Sequence, residues 1–487
     1  MRAKEDGLTF DVVVIGGGTA GMTAAKIVAR TGKRVVLLEA DRTGGDCLYT
    51  GCVPSKSLLA VAEVMERIRC GDQFGINVNP PTLDLGRAVQ RKDRIVEQIG
   101  EADSPAVLRR AGITVIQGRA RFCDSDEVEV GGQVVHGERF VIATGSRPAR
   151  PPILGLAEVD YLTNVEALDL RVVPSRLAVI GAGPTGLELG QAFARFGSAV
   201  TIIERTDRVL SSDDGETSAI LAKALEDDSI RLFLRTAVDN IKQSDGYKYL
   251  LLRQEGEDPN TIETDQVLVA TGRQPEVDGL GLDVAGVQTG EHGIVVDAGL
   301  RTTARHVWAC GDVIGPPYST HVAEDQARTV AKNVLGGKAR WSGRAVPWST
   351  FTDPAVAGVG MTEAAARVAL GRRLEVLRLH YDDIDRAVTD GAGDGLVKVL
   401  LVPGWTRGRL GGEVVGAHVV GAGAAEIVQQ FAFLMAWHLP AGMLAKTVQA
   451  YPTYGLGGRQ AVGLHWQRAK ESRARPSFIE KLRDKLG

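Results

Sequence analysis

One pattern occurs twice in this sequence and constrains its fold more than any other feature. A short apolar run, Asp11 to Ile15, leads into the turn GGGTAG, and a second run, Leu177 to Ile180, leads into GAGPTG. Each turn is followed by a helix-like stretch and then by another apolar run. Strand, glycine turn, helix and strand make a βαβ unit, so the repeat predicts an α/β protein with two such lobes.

The glycine spacing predicts the same chemistry in both units. The glycines concerned are Gly16, Gly18, Gly21, Gly181, Gly183 and Gly186. Each unit also carries an acid 23 residues after its first glycine, Glu39 in one and Glu204 in the other. Such glycines permit a tight turn, approach of a pyrophosphate and helix–strand packing, while the acid accepts hydrogen bonds from a ribose 2′-hydroxyl. We therefore predict two dinucleotide sites.

A second repeated phrase outlines the domains. FVIATGSRP (140–148) and VLVATGRQP (267–275) each follow one βαβ unit, and a helical insertion is predicted between about Thr82 and Ala111. A chain of 487 residues predicts about three domains. We predict that residues 1–152 and 279–344 form the first lobe, 153–278 the second lobe, and 345–487 an α+β domain.

Composition excludes several classes of protein. The formal net charge of -3 gives no strong attraction to nucleic acid, and five cysteines are too few for a secreted disulfide framework. The N-terminus lacks a signal-peptide pattern, so we expect a cytoplasmic protein. The apolar stretch from Ile427 to Leu444 is interrupted by polar residues and is interpreted as one buried helix, without stable membrane insertion.

The stretch GGDCLYTGCVPSK holds Cys47 and Cys52, for which three interpretations compete. A zinc site would need two further ligands, and no CxxC or HxxxH motif stands elsewhere; we predict no metal site. A structural disulfide would be unusual in a reducing compartment. A redox pair fits better, because Cys52 precedes a helix-like stretch (54–69) whose dipole, with Lys56, would lower a thiol pKa.

These motifs, in this order, resemble the flavin-dependent pyridine nucleotide-disulfide oxidoreductases, the family of glutathione reductase, dihydrolipoamide dehydrogenase and mercuric reductase. The resemblance covers roughly Asp11 to Gly463. It implies a homodimer with two Rossmann-like domains, for FAD and NAD(P), a C-terminal dimerisation domain, and an active site completed by the partner subunit. Electrons would pass between NADH, FAD, a cysteine disulfide and a disulfide, lipoyl or persulfide-type substrate.

The resemblance also assigns roles to individual residues. Cys52 would contact the flavin and form the charge-transfer thiolate, while Cys47 would exchange with substrate. Lys56 and Glu188 would form an ion pair beside the flavin N5. The first glycine set and Glu39 would bind FAD with Thr144, Gly145 and Asp312, and the second set and Glu204 would bind the nicotinamide cofactor with Gly272. Glu204 would repel a 2′-phosphate, so NADH is favoured over NADPH, although Arg205 and Arg208 could attract one.

The C-terminal phrase QAYPTYGLGGRQ departs from the family's HPTxxE pattern. Tyr451 stands where the acid–base histidine is expected and Leu456 where its glutamate is expected. A phenol with a pKa near ~10 can donate a proton but is a poor base at neutral pH. Three alternatives stay open: a dihydrolipoamide dehydrogenase-like enzyme with a substitute acid–base group, a mercuric reductase-like enzyme, and a non-catalytic flavoprotein subunit. Some mercuric reductases have an N-terminal CxxC domain and a terminal cysteine pair, whereas the residues before Asp11 and the stretch IEKLRDKLG contain no cysteine; we therefore do not expect mercuric reduction.

The remaining candidates receive structural interpretations. Cys70, Cys123 and Cys310 are expected to be small buried residues. His438 is expected to pack in the core on the long apolar helix, and His418 to be structural in a strand. His321 is a candidate for flavin contact. The tail from 468 to 487, with seven basic and three acidic residues, is predicted to be a solvated or self-packed amphipathic helix.

Overall fold

The computed structural model describes residues 8–79, 81–254, 256–403 and 410–474, with side chains to residue 467. Within these ranges, no helix is long and apolar enough to cross a membrane. The predicted amphipathic tail lies outside the residues whose side chains are described.

The elements follow one another in two lobes and a C-terminal domain. The strands are β1 (Leu8–Ile15), β2 (Val35–Glu39), β3 (Ile113–Gln117), β4 (Ala120–Phe122), β5 (Glu127–Val130), β6 (Gln133–Ile142), β7 (Ser146–Pro148), β8 (Arg176–Ile180), β9 (Ala199–Ile203), β10 (Arg231–Phe233), β11 (Thr236–Ser244), β12 (Tyr247–Gln254), β13 (Asn260–Thr264), β14 (Gln266–Val269), β15 (Arg273–Pro275), β16 (Thr289–Gly290), β17 (Gly293–Ile294), β18 (Val307–Ala309), β19 (Pro347–Thr350), β20 (Val356–Gly360), β21 (Glu375–His380), β22 (Leu396–Val402) and β23 (Glu413–Val420). The helices are α1 (Thr19–Ala29), α2 (Gly45–Tyr49), α3 (Cys52–Arg69), α4 (Leu85–Gly100), α5 (Pro105–Arg110), α6 (Asn164–Ala167), α7 (Pro184–Phe196), α8 (Gly215–Asp227), α9 (Thr320–Val334), α10 (Glu363–Leu370), α11 (Asp385–Thr389), α12 (Ala424–Ala436), α13 (Gly442–Lys446) and α14 (Leu456–Ala474).

The first lobe is built on a seven-stranded sheet in the order β3-β2-β1-β6-β5-β4, with β18 also paired to β6. Strands β1, β2, β3, β6 and β18 pair in parallel. Val12 and Val14 of β1 pack in one buried cluster, and Val13 and Ile15 pack in another. The continuous apolar run of β1 is explained by this burial on both faces, which is typical of parallel sheets.

The second lobe repeats the arrangement with a parallel sheet in the order β10-β9-β8-β14 and an antiparallel sheet β11-β12-β13. Its helix α7 packs against α3, and a shared cluster holds Leu58 of α3, Val89 of α4 and Leu187 of α7. Helix α4 of the predicted insertion therefore packs, together with α3, against the second lobe. This packing brings the dithiol stretch close to α7.

The chain crosses between the two lobes on a pair of short strands that we call the interlobe ribbon, β7 and β15. They pair antiparallel, with Arg273 opposite Pro148. The chain enters the second lobe after β7 and returns to the first lobe after β15. Arg147 on this ribbon binds Glu276 at 2.7 Å and Asp278 at 2.6 Å.

The C-terminal domain is an antiparallel sheet, β19-β20-β23-β22-β21, covered by α12 and α14. The predicted single helix from Ile427 to Leu444 is wrong, because α12 ends at Ala436 and α13 begins at Gly442. Pro440 lies in the break, where it removes a backbone donor and disfavours helix before it. His438 lies there too, with 61% of its side chain exposed, so its predicted core position is also wrong.

The prediction for the lone cysteines holds for one of three. Cys310 is buried, whereas Cys70 is half-buried and Cys123 is exposed. Cys70 directly follows α3, and Cys123 directly follows β4. Each of these two cysteines therefore lies just past the end of a helix or strand, where the chain comes to the surface. A single small apolar side chain is tolerated at such a position.

Candidate active site

The first glycine turn forms a cradle at the N-terminus of α1 that only glycines can build. Gly16 has φ +103°, and a Cβ on Gly21 would lie 1.8 Å from the Gly16 carbonyl oxygen. Gly18 caps α1 without any side-chain hydrogen bond, so the amides of the first turn remain available. Open amides at a helix N-terminus suit a pyrophosphate, and these residues fit the ADP half of FAD.

The second cradle, at the N-terminus of α7, has the same construction. Gly181 has φ +106°, and a Cβ on Gly186 would lie 2.1 Å from the Gly181 carbonyl oxygen. Gly183 caps α7 without a side-chain hydrogen bond, and a Cβ there would meet nothing within 4 Å. This cradle fits a second dinucleotide.

The two acids occupy equivalent positions beside their cradles. Glu39 accepts hydrogen bonds from the amides of Gly17 at 2.5 Å and Asp41 at 2.8 Å. Glu204 accepts hydrogen bonds from the amides of Ala182 at 2.8 Å and Thr206 at 2.9 Å. Each carboxylate therefore ties the strand end to its glycine turn and stays at the rim of the cradle.

The residues of the two Ala-Thr-Gly phrases lie where the lobes join. The Thr144 hydroxyl donates to the Glu276 carbonyl at 2.7 Å, and the Gly145 carbonyl accepts from the Glu276 amide at 2.9 Å. The Gly272 carbonyl accepts from the Ala149 amide at 3.0 Å. Gly145 and Gly272 both have positive φ and open space at the Cβ position.

The two cysteines of the pair lie in one turn, Gly45 to Cys52, which we call the dithiol turn. Cys47 is on α2 and half-buried, and Cys52 is the first residue of α3 and exposed. The helix therefore begins two residues earlier than predicted, which places Cys52 inside its first turn. The Cys52 sulfur lies 3.4 Å from the Thr320 hydroxyl.

The surroundings shift the pKa values of Cys47 and Cys52 in opposite directions. A hydrogen bond from Cys47 lowers the pKa of Cys52 to about 6 against the opposing effect of burial, with help from Thr320 and Lys56. The same hydrogen bond, together with burial, raises the pKa of Cys47. The arrangement therefore favours the thiolate at Cys52 over a thiolate at Cys47.

An ion pair joins the dithiol helix to the second lobe. Lys56 Nζ lies 2.7 Å from Glu188 Oε2, and Glu188 is 5% exposed. The other oxygen of Glu188 accepts a hydrogen bond from the Phe351 amide at 2.8 Å. The carboxylate is thus fully engaged and holds the ammonium one helical turn from Cys52.

Asp312, at the start of the turn after β18, belongs to a network of polar side chains. Ser146 donates to Asp312 at 2.6 Å and accepts from Arg273 Nε at 2.7 Å. Burial raises the pKa of Asp312, and the Ser146 hydrogen bond and Arg273 oppose that rise. The carboxylate remains at the carboxyl end of the first sheet, beside the first cradle.

Tyr451 lies in the C-terminal domain and makes no hydrogen bond to the thiols within the described part of the chain. The residue is 69% exposed, and its hydroxyl donates to Asp385 at 2.8 Å. That hydrogen bond raises the pKa of Tyr451, so the phenol stays protonated at neutral pH. An aspartate on α11 therefore partners the tyrosine that replaces the expected histidine.

Two of the histidines considered from the sequence, His418 and His321, lie in different surroundings. His418 is buried in β23, where burial lowers its pKa and a ring nitrogen lies 2.8 Å from the Met361 carbonyl. This confirms a packing position in the strand. A ring nitrogen of His321 lies 2.7 Å from the Pro347 carbonyl, while its neighbour Thr320 contacts Cys52.

Comparison with known proteins decides the family. Residues 10–327 match the pyridine nucleotide-disulphide oxidoreductases, and residues 346–459 match the dimerisation domain of the same family. The chain belongs to the pyridine nucleotide-disulphide oxidoreductase family. It is an FAD-dependent enzyme that uses a pyridine nucleotide as electron donor, and its dimerisation domain supports a homodimer.

Relatives within the family carry several names. The chain is 36% identical to dihydrolipoyl dehydrogenase from Thermus scotoductus, over 94% of this chain and 98% of that protein. It is 33% identical to mercuric reductase from Bacillus cereus, over 94% of this chain and 72% of that protein. The HOCl-induced flavoprotein disulfide reductase RclA from Escherichia coli superposes with a TM-score of 0.82 at 29% identity, over 93% of this chain and all of that one.

Three residues of this oxidoreductase site were not found from the sequence: Thr320, Arg273 and Asp385. Each contacts a site residue that is at least 66 positions away in the chain. Arg273 directly follows the second Ala-Thr-Gly phrase, which is the one local signal that pointed to it. Among the residues that the structure describes, no group of three or more metal-binding side chains is found.

Proposed function

We propose that Cys47 and Cys52 form the redox-active disulfide of this oxidoreductase, with Cys52 as the flavin-side thiolate and Cys47 as the thiol that exchanges with a sulfur-based substrate. The observation that carries the proposal is the difference between the two thiols within one turn. Cys52 has a pKa of about 6, whereas the pKa of Cys47 is raised. A stable thiolate and a protonated neighbour are what a two-electron-reduced disulfide requires.

The proposed reaction balances. FAD, when bound, supplies two-electron transfer between the nicotinamide and the cysteine disulfide. The disulfide takes up two electrons and one proton to give the Cys52 thiolate and the Cys47 thiol. Cys47 attacks a substrate disulfide while its proton passes to the first leaving sulfur, which departs as a thiol. Cys52 then attacks Cys47 and releases the second sulfur as a thiolate, which takes up one proton. In sum, NADH, one proton and one disulfide give NAD⁺ and two thiols.

We propose that Lys56 and Glu188 support this thiolate. The ammonium lowers the pKa of Cys52. The buried carboxylate, bonded to Lys56 and to the Phe351 amide, fixes where that charge lies. A paired, hydrogen-bonded carboxylate costs far less free energy in this position than an isolated one.

Tyr451 of the partner subunit is proposed to protonate the leaving thiolate of the substrate. The raised pKa keeps this phenol protonated at neutral pH, so it can supply a hydrogen bond or a proton but is not available as a base. Reduction of a disulfide needs a proton donor, whereas oxidation of a dithiol such as dihydrolipoamide needs a base. We therefore propose disulfide reduction as the working direction, although one relative is a dihydrolipoyl dehydrogenase.

NADH is the proposed electron donor. Glu204 sits at the rim of the second cradle with both oxygens engaged by amides, where its charge opposes a 2′-phosphate. Arg208, one of the two arginines that could attract a 2′-phosphate, donates to the Ser211 carbonyl at 2.5 Å and lies 3.5 Å from Asp207. We also propose a cytoplasmic location, because five scattered cysteines are too few for the disulfide framework of a secreted protein.

Metal ions are a second candidate class of substrate. One relative is a mercuric reductase, and a structure at TM-score 0.83 and 29% identity is titled a Cu(II) complex of RclA. A thiolate beside a thiol is a soft ligand pair that suits such ions. Binding of such an ion at this site would require Cys47 and Cys52 as its ligands.

An anaerobic NADH titration tests the proposal. We expect long-wavelength charge-transfer absorbance after two-electron reduction, and its loss in Cys52→Ser. Cys47→Ser should keep a thiolate but lose turnover with disulfides, and Cys123→Ser, a remote exposed cysteine, should behave like the parent enzyme. Parallel assays with lipoamide, glutathione disulfide, coenzyme A disulfide, polysulfide, Hg(II) and Cu(II) identify the acceptor. Absence of the charge-transfer signal from the parent enzyme would exclude the dithiol mechanism.

A further inference from the structure

Arg273, on the interlobe ribbon, forms an ion pair with the dithiol turn. Its Nη2 lies 2.8 Å from Asp46 Oδ2 and 3.0 Å from the Ser146 carbonyl. Its Nε donates to the Ser146 hydroxyl at 2.7 Å and lies 3.6 Å from Asp312 Oδ2. One guanidinium thus joins the residue before Cys47, the first strand of the ribbon and the carboxylate beside the first cradle.

Asp46 is held on both sides. Its second oxygen accepts a hydrogen bond from Thr50, whose own carbonyl accepts from Asn164 at 2.7 Å. The dithiol turn is therefore fixed at Asp46 by the ribbon and at Thr50 by the second lobe. An arginine fork that binds two partners at once provides geometry that a lysine cannot reproduce.

The charged and polar groups facing the thiols come from three elements. Lys56 on α3 and Thr320 on α9 lower the pKa of Cys52, whereas Asp46 on α2 raises it. Asp46 also raises the pKa of Cys47. Glu188 is already committed to Lys56. The negative charge of Asp46 therefore opposes formation of the thiolate, and the Arg273 guanidinium binds Asp46 directly.

We propose that Arg273 is a positioning residue for the redox reaction: through Asp46 it fixes the Cys47 end of the dithiol turn to the interlobe ribbon and offsets the negative charge beside the thiol pair. This inference depends on the proposed function of the cysteines. Arg273 makes no hydrogen bond to either thiol within the described residues, so it acts through Asp46. The chain both enters and leaves the second lobe through the ribbon. Because Arg273 of the ribbon binds Asp46, the position of the second lobe is coupled to the geometry of the dithiol turn.

The test is a double-mutant cycle with Asp46→Asn and Arg273→Met, read from the pH dependence of the charge-transfer absorbance. We expect Asp46→Asn to lower the apparent pKa of Cys52 by about 0.5 pH unit and Arg273→Met to raise it by about the same amount, each about a threefold change in the thiolate equilibrium. In the Asp46→Asn background, Arg273→Met should have less than half of its effect. Arg273→Lys should restore the pKa but not the full rate of disulfide reduction.

Arg147→Met is the matched control, because Arg147 lies on the same ribbon and binds Glu276 and Asp278 instead. It should leave the thiol pKa unchanged. An equal pKa shift in this control would mean that loss of either ribbon arginine loosens the site in general. A full Arg273→Met effect in the Asp46→Asn background would mean that Arg273 acts on the thiols directly. Either result would overturn the proposal.

A second measurement separates this inference from the proposed function. The rates of iodoacetamide alkylation of Cys47 and Cys52, mapped by peptide mass in the reduced protein, report the thiol pKa values without turnover. If the parent enzyme lacks charge-transfer absorbance, the proposed function fails, and opposite pKa shifts in alkylation would then show only that Arg273 and Asp46 act on the charge of the thiol pair. Shifts of the same sign in both variants would refute that role in either case.

Discussion

The two nucleotide cradles share their glycines and their acids but differ in what lies over them. In the first cradle, the Gly17 carbonyl accepts from the Gly44 amide at 2.9 Å, and a Cβ on Gly45 would lie 2.7 Å from the Gly18 Cα. In the second cradle, nothing lies within 4 Å of a Cβ on Gly183.

The first cradle is therefore partly covered by the dithiol turn of its own lobe, whereas the second is open. The same supersecondary unit can serve a cofactor that stays bound in one lobe and a nucleotide that exchanges in the other. The difference is made by a neighbouring turn and not by the glycine pattern itself, which is why three glycines alone do not distinguish the two uses.

The largest expected effects come from equivalent substitutions in the two cradles, Gly21→Ala and Gly186→Ala. Each added methyl would meet a backbone carbonyl oxygen, at 1.8 Å and 2.1 Å respectively. We expect flavin binding to weaken about tenfold or more in Gly21→Ala, and the KM for NADH to rise about tenfold in Gly186→Ala with flavin retained. The flavin-to-protein ratio after gel filtration and steady-state kinetics measure both. Equal flavin loss in both variants would contradict the separation of roles.

The acids give a smaller and more specific effect. Glu204→Gln keeps an acceptor at the rim of the second cradle but removes the charge that opposes a 2′-phosphate. The ratio of kcat/KM for NADPH to that for NADH should rise about tenfold, in line with about 1.4 kcal/mol of lost discrimination. Glu39→Gln is the control: it should affect flavin retention and leave this ratio unchanged. A ratio that changes equally in both variants would break the assignment of the cradles.

The smallest effect concerns the thiolate in the turn that covers the first cradle. Because the Cys52 pKa is lowered to about 6, the thiolate is present above that pH and is lost as the pH falls through it. Charge-transfer absorbance of the reduced enzyme should therefore halve near that pH. Thr320→Val removes a hydrogen bond to the thiolate and should move this midpoint upward by about 0.5 to 1 pH unit.

Thr206→Val makes the same substitution beside the second cradle, where the hydroxyl contacts Glu204 at 3.0 Å. It should leave the midpoint unchanged and alter only the KM for the nicotinamide nucleotide. A midpoint that is insensitive to Thr320→Val would show that this hydroxyl does not stabilise the thiolate.

Features coded by local spacing were predicted well from the sequence. The βαβ units and the positions of Glu39 and Glu204 at their strand ends follow from local patterns of strands and helices. The contact of Lys56 with Glu188, 132 residues away, was expected only from the family resemblance. Other contacts between distant segments were not predicted, because nothing local to Tyr451 indicates Asp385, 66 residues away. The error at His438 has the same origin: apolar composition suggested one helix, and the break around Pro440 changed which side chains are covered.

The interlobe ribbon has a consequence for how such enzymes can be altered. Because β7 and β15 lie side by side, the second lobe leaves and rejoins the chain at neighbouring points. A segment with adjacent ends can be exchanged as a cassette without lengthening the path of the remaining chain. Coenzyme preference can thus be changed by transplanting a whole lobe at Pro148 and Arg273, provided that the transplant keeps the arginine that reaches back to Asp46.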